Sequence, residues 1–304
     1  MMWLWAAVAS AFLLGFYDVA KKRASTRNDV LHILLYATGL STCFFLPLIL
    51  SSLFGWGWAD GTVFEMQRGT PKEHLMIFIK SLIVSISWIT GLMGLKNLPI
   101  TTAGTIKTSR PVFVLIASIL LFGERLNLWQ WAGILVALVA LWLLGRTSKK
   151  EGVDFVRDKW IICMWVAVLS GVVSAIMDKY LMGTNYMALK TMFVQSWCNF
   201  YVTLIMAVAV LVARFSGSKV YKPYRHDWAI VIIAVFIAAS DFLYFYSLSR
   251  PGSMLAVVSM LRRSSVIVTF VCGAILFKEN YLRQKGLALA ILLLGMALLV
   301  IGTN

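Results

Sequence analysis

At 304 residues, with 60% hydrophobic side chains, only 13% charged ones and a mean hydropathy of +0.83, this chain is too apolar to fold in water. A soluble domain carries about 25% charged residues, and no long polar segment here could form one. The formal net charge of +15 reads as loop charge drawn to anionic headgroups, which makes the lipid bilayer a partner and excludes nucleic acid.

Apolar stretches near the roughly 20 residues of a crossing helix centre on Leu13, Leu40, Ser85, Pro111, Val136, Leu169, Trp197, Val235, Ser264 and Leu292, which predicts ten spans. Lipid leaves no water to satisfy exposed backbone, so spans of this length must be helices. A β-barrel would need alternating strands of about ten residues, and these are absent. The first span opens on Met1-Met2-Trp3-Leu4-Trp5 without a basic region or cleavage site. It reads as a retained helix rather than a signal peptide. Asp18 lies towards its end. In the third span Lys80 sits near the start, from where its ammonium can snorkel to the interface.

The fourth span, Ile100 to Phe122, places Lys107 and Arg110 at mid-membrane depth. Pro111 beside them has no N–H, so the Lys107 carbonyl loses its helical partner and a kink is expected. After the charged stretch Arg146–Lys159, the sixth span carries Asp178 towards its end and the eighth carries Asp241, Tyr244 and Tyr246. The ninth, Met254 to Phe277, is read as one helix with Arg262 and Arg263 at its middle. A Lys or Arg at the centre of a span costs about 2.5–3.5 kcal/mol unless it faces water, a carboxylate or an anion.

The chain also repeats itself. Ala7-Val8-Ala9-Ser10 and Asp18 recur as Ala167-Val168-Leu169-Ser170 and Asp178. Lys107, Ser109 and Leu121-Phe122-Gly123-Glu124 recur as Arg262, Ser264 and Leu276-Phe277-Lys278-Glu279. Five helices is an odd number, so a second copy must lie upside down. Residues 1–150 and 151–304 are therefore expected to be two inverted five-helix repeats, with a site near the midplane.

Five cations, Lys80, Lys107, Arg110, Arg262 and Arg263, then face three internal carboxylates, Asp18, Asp178 and Asp241, so pairing leaves a positive surplus. Arg offers a bidentate fork and Lys a compact charge, a combination suited to phosphate. The substrate-binding candidates are Lys107, Arg110, Arg262, Arg263 and Tyr244. The three Asp residues are charge partners or a proton relay. Tyr17, Tyr36, Trp88, Gln195, Asn199 and Tyr246 could orient a ligand or serve as packing and interfacial anchors. Glu124 and Glu279, at equivalent helix ends, read as loop-level pairing. Cys43, Cys163, Cys198 and Cys272 lie singly in apolar sequence and read as small hydrophobes. No nucleophile–base set, HExxH, P-loop or glycine-rich fingerprint occurs, so no enzyme, cofactor or metal is expected.

At Ile106-Lys107-Thr108-Ser109-Arg110-Pro111-Val112-Phe113 the chain resembles the fourth helix of plastid sugar-phosphate/phosphate translocators. Ser259-Met260-Leu261-Arg262-Arg263-Ser264-Ser265-Val266-Ile267-Val268 resembles their ninth. The Gly123-Glu124-Arg125-Leu126 turn, with Gly133 beyond it, resembles EamA-type members of the drug/metabolite transporter superfamily, which also includes nucleotide-sugar transporters. The resemblance implies ten helices in two inverted halves, with Lys107, Arg262 and Arg263 on a phosphate and Tyr244 beside them. Departures are Arg110 in place of an acid, Phe245-Tyr246 in place of Asn-Gln, and Arg262 in place of Lys.

The expected function is a carrier or exchanger of an anionic, phosphorylated small metabolite by alternating access. Proton-coupled amino-acid or drug export and lipid-headgroup flipping are the alternatives. Most loop Lys and Arg fall in odd-numbered loops, which by the positive-inside rule places both termini outside. The superfamily resemblance implies the reverse. The short tails point to a bacterial inner membrane.

Overall fold

A computed structural model describes residues 2–26, 28–57, 60–98, 103, 106–107, 110–123, 126–149, 159–215, 227–277 and 282–302. Among them every regular element is a helix. These are α1 (Met2–Ser25), α2 (Val30–Phe54), α3 (Pro71–Asn97), α4 (Arg110–Phe122), α5 (Leu128–Lys149), α6 (Lys159–Met182), α7 (Thr191–Phe215), α8 (Trp228–Leu248), α9 (Leu255–Arg263), α10 (Ser265–Phe277) and α11 (Leu282–Ile301). Seven stretches are long and apolar enough to cross a membrane among the described residues. The protein is thus an integral, multi-pass, all-helical membrane protein. The proposed boundary at residue 150 lies outside the described residues, as do Glu124 and Glu279.

Local chemistry sets the helix ends. Thr70 and Glu73 form a reciprocal capping box at the start of α3, with Pro71 at the first helical position, where a missing N–H costs nothing. Asp227 caps α8 by accepting from the Ala229 N–H at 2.9 Å. α2 stops at Gly55, whose φ of 70° no β-carbon would favour.

The expected ninth span differs from its sequence reading. It is not one helix but α9 and α10, divided at Ser264. There the Ser264 N–H donates to the Leu261 carbonyl at 3.0 Å, and the Ile267 N–H to the Ser264 carbonyl at 2.9 Å. Such tight i−3 bonds locally overwind the α-helical ladder. The kink expected before Pro111 falls on residues 108–109, outside the described residues.

Long-range packing follows a simple scheme. α1 lies along α8, α3 along α6, α2 along α7, and α5 along α11, while α4 meets α6 and α9, and α1 also meets α9 and α10. Large apolar side chains such as Trp5, Phe12, Phe44, Leu128 and Val212 are exposed. That inverts the soluble rule because the surrounding solvent is hydrocarbon.

Small residues let the helices close. A β-carbon on Gly295 of α11 would lie 2.8 Å from the Ala137 nitrogen and the Gly133 oxygen of α5. Backbone cannot step aside as a side chain can. Gly295→Ala should therefore lower stability by about 1–3 kcal/mol, as overpacking does. Gly286→Ala, with open space around it, should be neutral or slightly stabilising. Thermal unfolding of the two variants in one detergent checks the contrast.

Candidate functional site: a basic cavity between the helices

Helical phase builds the site. Leu14, Tyr17, Asp18 and Lys21 of α1 line one cavity, and so do Gly171, Ser174, Ala175 and Asp178 of α6 and Gln195, Cys198, Asn199 and Val202 of α7. Each set is spaced i, i+3, i+4, i+7, a single helical face. Lys80, Val84, Ser87, Trp88 and Gly91 of α3 complete the wall with Asp241, Tyr244 and Phe245 of α8. Arg262 and Arg263 enter from α9, Arg110 from the first residue of α4, and Lys107 from just before it. The cavity holds roughly 170 Å³, comparable with the space of about 150 Å³ that admits a benzene. It suits a small solute or headgroup.

All eight candidate residues thus share one cavity. Tyr17, Trp88, Gln195 and Asn199 join them, whereas Tyr36 and Tyr246 do not line it.

Three ion pairs cross it. Lys80 Nζ lies 3.1 Å from Asp178 Oδ1, and the two side chains are 2% and 6% exposed. The same ammonium donates to Cys198 Sγ at 3.3 Å and faces the Phe245 ring at 4.9 Å. Lys80 therefore does not snorkel to the interface. Because α3 starts at Pro71, Lys80 stands nine residues, or about 13 Å, inside the helix. Lys107 Nζ is 3.7 Å from Asp18 Oδ1, with both side chains about a quarter exposed. Arg262 is hydrogen-bonded to Asp241, and its guanidinium sits 4.2 Å from the Tyr244 ring centroid. Asp18 and Asp178, read as lying towards their helix ends, both line the cavity.

The remaining guanidiniums differ. Arg110 donates to the Gly171 carbonyl. Gly171 is small for a reason: a β-carbon there would lie 2.8 Å from the Arg110 Cζ. Neither Arg110 nor Arg263 has a carboxylate within 4 Å among the described residues, and the Nε of each is buried without a hydrogen-bond partner. Lys21, which sequence reasoning missed, is 5% exposed and lines the same cavity. Six cations therefore share the cavity with three carboxylates. No group of His, Cys, Asp and Glu among the described residues could hold a metal ion.

Residues 1–146 match the EamA-like transporter family. That likeness covers just under half of the chain. The chain is also 26% identical to "Solute carrier family 35 member E4" of Rattus norvegicus over 257 residues, covering 83% of this chain and 70% of that protein. It is 27% identical to "Uncharacterized transporter PA0485" of Pseudomonas aeruginosa over 139 residues, 46% of this chain and 43% of that one. A solved crystal structure, 14% identical, aligns with a TM-score of 0.72 over 97% of this chain and 95% of the other, which shows a shared fold. The protein is a membrane transporter and not an enzyme, in keeping with the superfamily resemblance read from its sequence.

Proposed function

We propose that this protein is a secondary carrier or exchanger of an anionic small metabolite, with a phosphoryl group as the anion its donors fit best. The observation that carries this reading is the charge imbalance of the cavity. Lys21, Lys80, Lys107, Arg110, Arg262 and Arg263 line it against Asp18, Asp178 and Asp241. Each carboxylate is already engaged by a cation, which leaves the surplus to a ligand.

Alternating access between inverted halves 1–150 and 151–304 is part of the proposal. The packing scheme supports it. Exchanging each helix of the first half for its counterpart in the second turns the α1–α8 contact into α6–α3. It returns α2–α7, α4–α9 and α5–α11 to themselves. A pseudo-two-fold arrangement has this property. We place the protein in a bacterial inner membrane, on the short tails of the sequence alone.

Thermal-shift titration with a sugar phosphate, its dephosphorylated sugar and a zwitterionic amino acid tests the reading, since a ligand of the folded state raises apparent stability. The sugar phosphate should stabilise the wild type and the neutral sugar should not. Lys107→Gln should weaken sugar phosphate binding by about tenfold or more, the value of about 1.4 kcal/mol. If the amino acid or neutral sugar binds best and Lys107→Gln leaves that binding intact, the protein exports neutral metabolites instead.

A further inference from the structure

Lys21 belongs to the run Lys21-Lys22-Arg23 near the end of α1, which by composition is a solvated helix terminus. Helical phase separates its members. Lys22 reaches the Leu95 carbonyl at 3.2 Å, and Arg23 is exposed. Lys21 instead continues the stripe of Leu14, Tyr17 and Asp18 into the cavity, where it is 5% exposed. Its ammonium lies 4.8 Å from the Tyr17 ring centroid. No carboxylate approaches within 4 Å of it among the described residues. A ring face is a weaker partner than a charge-assisted hydrogen bond, and three ammonium donors remain to be used.

One turn back on the same face stands Asp18, and residues three apart on a helix are neighbours. Asp18 is engaged with Lys107 at 3.7 Å, the longest of the three cavity pairs and the most exposed. Two ammonium groups therefore flank one carboxylate.

We propose that Lys21 and Lys107 form an anion-binding locus at the α1 edge of the cavity, in which Asp18 is the internal occupant displaced by the substrate's anionic group. The proposal rests on the anionic-carrier reading. A phosphoryl monoester, with up to two charges and three acceptor oxygens, outcompetes a single carboxylate that is already part-exposed. When it leaves, Asp18 returns and keeps the two cations from facing each other unneutralised.

The test is a binding titration of the purified full chain with inorganic phosphate, glucose 6-phosphate and glucose. Lys21→Gln should weaken both phosphate compounds by about tenfold or more and leave the response to glucose unchanged. Lys21→Arg should stay within about threefold of wild type. Asp18→Asn should bind both phosphate compounds several-fold more tightly, because the competitor is gone. A purely structural Lys21 would leave the gain from Asp18→Asn whole when Lys21→Gln is added to it, whereas the locus predicts that most of the gain is lost. Wild-type affinity in Lys21→Gln, or unchanged or weaker affinity in Asp18→Asn, overturns the locus. Should Lys21→Gln fail to fold, Asp18→Asn alone decides it. If Arg263→Gln loses phosphate while Lys21→Gln and Asp18→Asn match wild type, the locus falls and the carrier reading stands. If the wild type binds neither phosphate compound, both fall together. Repeating the titration in nanodiscs with and without phosphatidic acid distinguishes a free phosphate ester from a lipid headgroup. A Lys21- and Asp18-dependent response to either upholds the locus.

Discussion

Lys80→Met should cost about 3–5 kcal/mol of stability, because it strands the buried Asp178 carboxylate without its partner. The pair is 2% and 6% exposed at 3.1 Å, so little water remains to take over. Asp178→Asn alone should be similarly harmful, leaving an ammonium with only a thiol and a ring face for company. The double variant Lys80→Met/Asp178→Asn should recover more than half of the loss, since no uncompensated charge is left. The coupling is read from a double-mutant cycle of thermal or denaturant unfolding in detergent. Additive losses would mean that the two side chains act independently.

A second large effect should separate two adjacent arginines. Arg262 is bonded to Asp241 and stacked over Tyr244, while Arg263 has no carboxylate partner among the described residues. Arg263→Gln should leave folding near wild type and reduce anion transport in proteoliposomes by at least about tenfold. Arg262→Gln should instead cost about 3–5 kcal/mol of stability, by leaving Asp241 unpaired in the membrane. Joint replacement of Arg262 and Asp241 by Gln and Asn should restore much of it. Wild-type transport by both single variants would remove the arginines from the substrate path.

The membrane-helical class and the basic site were legible because a charge amid apolar sequence is costly wherever it sits, and sequence position gives its depth. Lys107, Arg110, Arg262 and Arg263 stand in one cavity on that ground alone. Depth was misjudged where helix ends were. Asp18 looked terminal, yet α1 runs on to Ser25, which sets the carboxylate about 10 Å inside the helix end. Lys80 reads as interfacial only if the third helix begins close to it, whereas α3 begins at Pro71. The Thr70-x-x-Glu73 capping box with Pro71 was the signal that would have moved it. Lys21 was hidden for a different reason. Composition cannot separate three consecutive basic residues, but a rotation of 100° per residue can, once the apolar stripe ahead of them is phased. The division at Ser264 carries no Gly or Pro and could not have been read.

The serine contacts of α1 bear on which parts of the carrier could turn against each other. Ser10 donates to the Ser240 carbonyl at 2.7 Å, and Ser240 donates to the Ser10 carbonyl at 2.9 Å. This reciprocal stitch fastens α1 to α8, which belong to different halves in the proposed two-half scheme. Ser87 makes a corresponding bond to the Ala167 carbonyl at 2.8 Å, between α3 and α6. Sliding across either seam would break hydrogen bonds in hydrocarbon, where no water replaces them. The rigid bodies of a rocking cycle would then be chimeric: α1 with α8 and α9 on one side, α3 with α4 and α6 on the other. In the proposed cycle, cutting the chain at its midpoint would yield two gene products, neither of which contains a complete moving part.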